Sequence, residues 1–136
     1  MFVLRWLTPP QSGDLKKLGR EMTELRRSVG EQLLNISLIS EEISPPEGAV
    51  RKEMEEFNQI WMELCEGIHV VVGGTGFKQA VFRSIVSAFA LASRRRGLVH
   101  VHKSLDEAIS EIQKVDGHAS TLRSELVKSG IVEGFK

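Results

Sequence analysis

Several things are scarce in this chain of 136 residues, and each scarcity removes a class of protein. There is one cysteine, Cys65, so no disulfide can close within the chain, and a reducing compartment is expected. No apolar run approaches the roughly 20 residues that a membrane-spanning helix needs. The opening Met1-Phe2-Val3-Leu4 is broken by Arg5 and soon meets Pro9-Pro10, so it does not read as a signal peptide. Net charge is missing too, because 18 basic residues balance 18 acidic ones. No global field then favours nucleic acid or an anionic membrane, and long-range self-repulsion is weak. The expectations are a cytoplasmic protein with no nucleic-acid partner and no membrane insertion. Proline is confined to two pairs, and no internal repeat or low-complexity segment occurs.

What is present is ordinary for a globular domain, with 41% hydrophobic and 26% charged residues. Its organisation is clearest between Ile68 and Ile112. The β-branched run Ile68 to Val72 is closed by Gly73-Gly74-Thr75-Gly76, and a long apolar helix follows to the punctuation at Gly97. Leu98 to His102 is a further strand, and Ser104-Leu105-Asp106-Glu107 opens another helix with a capping box. Strands that alternate with helices indicate an α/β fold with about four mostly parallel strands.

The rest of the chain fits that layout. Phe2 to Leu7 reads as a first strand, and Ser12-Gly13-Asp14 offers N-cap chemistry to a helix running to Val29. Leu15, Leu18, Met22, Leu25 and Val29 form its narrow apolar stripe. Leu33 to Ile39 is a strand apolar on both faces apart from Asn35 and Ser37, as in a sheet interior. After the Ser40–Glu47 loop, a second helix runs to Glu66 on Val50, Met54, Phe57, Trp61 and Leu64, widened by Ile60 and Cys65. Gly67 is its expected left-handed stop. A short helix on Leu122, Leu126 and Val127 and an apolar tail of Ile131, Val132 and Phe135 close the chain. The expected division is a domain over 1–116 with a helical extension over 117–136.

The third helix, Gly76 to Arg95, carries two apolar stripes. Phe77, Val81, Ile85, Ala88 and Ala92 make one; Phe82, Val86 and Phe89 make the other. One stripe suffices to cover a sheet. The second, taken as Phe82, Val86 and Phe89, either packs on neighbouring helices or faces a partner, a second copy of the chain included.

These elements and certain residues resemble the STAS domain, the fold of anti-sigma-factor antagonists and sulfate-transporter C-terminal regions. Leu33-Leu34-Asn35-Ile36-Ser37 is similar to the family's hydrophobic strand with its Asp-Leu-Ser-like ending. Ile43-Ser44-Pro45-Pro46 falls on the turn that carries Asp-Ser-Ser-Gly in the family, with Gly48 beyond it. Lys103 to Ala108 is similar to the opening of the closing helix. The likeness covers residues 1–115, without the extra N-terminal strand that most members have. It implies a regulatory protein-interaction module of bacterial signalling whose recognition loop holds Ser40, Glu42, Ser44, Pro45, Pro46 and Glu47. The family's phosphorylatable serine falls at Pro45, so the phosphate switch is not carried over.

Other candidates have plainer explanations. Gly73, Gly74, Thr75, Gly76 and Lys78 lie where backbone N–H groups could hold an anionic, nucleotide-like ligand. Neither the phosphate-loop ending nor the dinucleotide glycine spacing is present, and a tight turn accounts for the glycines. His100 and His102 alternate on one strand face, with His69 the nearest third group in kind, yet sheet histidines are commonly structural. Arg94-Arg95-Arg96, with Lys103, suits the negative end of a helix dipole. Cys65 reads as packing; Trp6 and Trp61 read as core or interface anchors. Glu41-Glu42 and Glu55-Glu56 are adjacent rather than convergent pairs. No nucleophile–base set assembles, so the expected function is non-enzymatic, with no cofactor and no metal.

Overall fold

The computed structural model describes residues 1–92, 97–116 and 120–135. The expected cation cluster Arg94–Arg96 and the first residues, 117–119, of the expected helical extension lie outside them. The elements run β1 (Phe2–Trp6), α1 (Asp14–Val29), β2 (Leu33–Ile39), α2 (Gly48–Leu64), β3 (Cys65–Val72), α3 (Phe77–Ala92), β4 (Val99–His102), α4 (Leu105–Val115) and α5 (Leu122–Ser129). The four strands form one wholly parallel sheet in sequential order, β1-β2-β3-β4. The α/β class expected from alternating strands and helices is what the chain adopts. No described helix is long and apolar enough to cross a membrane.

Side chains alternate across a strand, so each residue's parity assigns it to a face. Leu33, Ile39, Ile68, Val70 and Val72 face α1, α2 and α3, where they meet Leu15, Met22, Phe57 and Phe82. Ile36, Leu38 and Val71 face the other way, onto Ala108, Ile109 and Ile112 of α4 and Leu122 and Leu126 of α5. Successive crossovers of one hand in a sequentially ordered sheet put their helices on one side. That leaves the opposite side for α4, α5 and the tail. Arg5 fastens the tail, donating to the carbonyls of Ile131 and Glu133 while lying over the Phe135 ring.

Several local expectations need correction. Gly67 is not a helix stop: it lies inside β3, and a Cβ there would come within 2.9 Å of the Leu34 side chain. Cys65 is the first residue of β3 and is fully buried. The N-terminus of α1 is capped from another element. Glu53 of α2 accepts from the Ser12 hydroxyl at 2.7 Å and from the Gly13 N–H at 3.0 Å. Those two donors hold the Glu53 carboxyl below its ordinary range. Ile60, Val29 and Val127 are exposed, at the edges of their stripes. Ser104 caps α4 as expected, its Oγ accepting from the Glu107 N–H, while the Glu107 carboxylate reaches one residue past the cap to accept from the Lys103 N–H.

Candidate functional site

The helices on the first face do not close over the sheet. α2 packs against α1, and α2 and α3 stand apart. Between them lies a recess of about 520 Å³. Its floor is the sheet, through Trp6, Ser37, Ile39, Val70 and Val99. One wall is α2, with Met54, Phe57, Asn58 and Trp61; the other is α3, with Phe82, Ile85, Val86, Ala88 and Phe89. Ile43 to Glu47 close one end. The two polar residues of β2 now have places. Asn35 donates to the Phe2 carbonyl at 3.2 Å and accepts from the Ser37 hydroxyl at 2.9 Å, which fixes Ser37 in the floor.

Two groups of expected partner residues, far apart in sequence, therefore meet at one feature. Ser44, Pro45, Pro46 and Glu47 border the same recess as Phe82, Val86 and Phe89. Ser40 and Glu42 do not border it. Ser40 accepts the Ile43 N–H in a tight turn, and Glu42 is exposed.

Of the two readings of the Phe82, Val86 and Phe89 stripe, packing within the chain or facing a partner, the burial fits the first. Phe82 is buried in the core, Val86 packs against it, and Phe89 is half-buried. The face turned outward carries Phe77, Val81, Ile85 and Leu91, of which Phe77 is 86% and Leu91 88% exposed. The cause is polar. Gln79 and Arg83 lie on the Phe82–Val86 side of the helix, at about 100° per residue. Gln79 donates to the Glu41 carbonyl, and Arg83 donates to the carbonyls of Val72 and Gly74 at 2.9 and 3.1 Å. Those bonds hold that side of α3 against the strand ends. Counting apolar residues alone could not find this, because the decisive groups are polar and their partners are backbone carbonyls.

The Gly73–Gly76 turn is crowded rather than open. A Cβ on Gly74 would meet Glu41 and Gln79 side-chain atoms at 3.0 Å, and one on Gly76 would meet Gln79 Oε1 at 2.7 Å. The Glu41 carboxylate beside Gly74 is the wrong charge for an anion, while Thr75 and Lys78 point to the exposed surface. The turn serves the backbone, with Gly74 at φ +93°.

The three strand histidines do come together, on the face covered by α4. His69 and His100 are register partners, and His102 follows two residues on. Their rings stack, with His69 centroids 4.8 Å from His100 and 5.2 Å from His102. His69 Nδ1 and His102 Nε2 are 3.0 Å apart and share one hydrogen bond. Burial, reinforced by His100 and then His102, lowers His69 to about 4. Burial also lowers His102, against the opposing pull of Glu107 and, more weakly, Glu111. Among the described residues no group of three or more His, Cys, Asp or Glu side chains forms a metal-binding arrangement. Compared with known proteins, the chain matches no family model, no curated protein and no solved structure.

Proposed function

We propose that this chain is a non-enzymatic regulatory or scaffolding module of STAS-like fold that acts through a protein partner in bacterial signalling. The observation that carries the reading is the outward face of α3. Phe77, Val81, Ile85 and Leu91 are all exposed along one side of it, and at about 100° per residue Ser84 and Ala88 fall in the arc between them, with no charged residue of α3 there. A helix face of that length without a charge is costly to leave in water, and such faces mark contacts with other macromolecules. Ile85 and Ala88 also border the recess, so the face continues to the Ser44–Glu47 loop that the STAS resemblance makes a recognition turn. The weak net field leaves a second copy of the chain an acceptable partner.

The test is the double variant Phe77→Glu with Ile85→Glu. Both residues are exposed, so the melting temperature is expected to stay within a few degrees of wild type. Partner recovery in a quantitative pull-down is expected to fall at least tenfold, as is any self-association seen by light scattering. Full recovery by a folded double variant would remove the α3 face from the interaction.

A further inference from the structure

We propose that the recess between α2 and α3 is a binding site for an uncharged, apolar small molecule that carries one hydrogen-bonding oxygen, held by the Asn58 side-chain amide. Three observations lead there. The recess holds about 520 Å³, within the range of small-molecule sites, roughly 300–1,000 Å³, and its walls are aromatic and aliphatic. Asn58 is only 8% exposed and borders the recess, and its amide makes no hydrogen bond to any described residue; the polar atom of the lining that is wholly buried without a partner is the Trp61 indole N–H. Polar groups largely withdrawn from water are ordinarily paired, so this amide and the Trp61 N–H leave hydrogen-bonding capacity for a ligand. The charged residues that border the recess, Glu47, Arg51 and Glu55, are all exposed. An ion would therefore gain nothing by entering.

Water is a poor occupant. It needs several polar partners, and beyond Asn58 the inner lining offers only Ser37, whose proton is already given to Asn35, and the Trp61 indole N–H, against a large apolar surface. An alicyclic or aromatic alcohol or ketone satisfies both the walls and the amide. This assignment stands without the partner reading, because it concerns the inward side of α3 and needs no second protein.

The chain supplies its own reporter. It has two tryptophans, Trp6 and Trp61, and both border the recess. Titrating the whole chain with 1-adamantanol, which does not absorb with tryptophan, is expected to shift their emission saturably at one to one. In Asn58→Leu, which keeps the branched shape and removes the amide, affinity is expected to fall about fivefold, the scale of one hydrogen bond. In Ala88→Phe, at the exposed mouth, binding is expected to vanish while the melting temperature is kept. Ala88→Phe decides the matter should Asn58→Leu fail to fold. No saturable shift in wild type up to the solubility limit would overturn the site. Undiminished binding by folded Asn58→Leu would overturn the role of Asn58, and undiminished binding by Ala88→Phe would overturn the location.

Discussion

His69 shows how one side chain's surroundings set a property of the whole chain. It is 7% exposed, stacked on His100 and hydrogen-bonded to His102. Its folded value, about 4, lies below the ordinary histidine value of 6.5. The unfolded chain therefore takes up a proton before the folded one does. Its contribution to stability is fully present above pH 6.5 and is lost as the pH falls from 6.5 towards 4. The lowered His102 acts in the same direction. The melting temperature is expected to drop across that window, and His69→Gln is expected to flatten the drop. A parallel pH profile for wild type and His69→Gln would show that the buried ring does not govern it. Much of this cluster was legible beforehand: the alternation of His100 and His102 gave a shared face. Their pairing with His69 required the strand register, which no residue pattern states.

At the scale of the element, α3 separates what periodicity can say from what it cannot. Both apolar stripes were visible in the spacing of Phe77, Phe82 and their followers. Which one faces inward depended on Gln79 and Arg83 reaching the carbonyls of Glu41, Val72 and Gly74. Hydrophobicity cannot register such bonds. A similar limit applies to α1, whose cap is the Glu53 carboxylate of a different helix, 40 residues away from Gly13. Strand β2, by contrast, begins and ends where its composition places it, because a run apolar on both faces has only the sheet interior to occupy. The orientation of α3 gives a sharp expectation. Phe82→Ala is expected to destabilise the fold by about 3–5 kcal/mol, the scale of a truncated buried phenylalanine. Phe77→Ala is expected to stay within about 0.5 kcal/mol. Urea denaturation of the two variants measures both, and equal losses would mean that α3 is turned otherwise.

The whole molecule is asymmetric in how it uses its two faces. The side under α4 and α5 is the more covered, with the tail tied down by Arg5 and a smaller recess of about 320 Å³ between α4, α5 and the tail. The side under α1, α2 and α3 is left with a recess and an uncovered apolar helix face. An apolar helix face left uncovered beside the larger recess is the core of the proposed interaction reading. Site-specific photo-crosslinking in living cells tests it most directly. A benzophenone amino acid is placed at Phe77 on α3 and, separately, at Val115 on α4, which is 90% exposed on the opposite side of the sheet. The expected result is a discrete crosslinked protein species from position 77 and none from position 115, its mass telling a second copy from a different chain. No product at 77, or the same products from both positions, would contradict it.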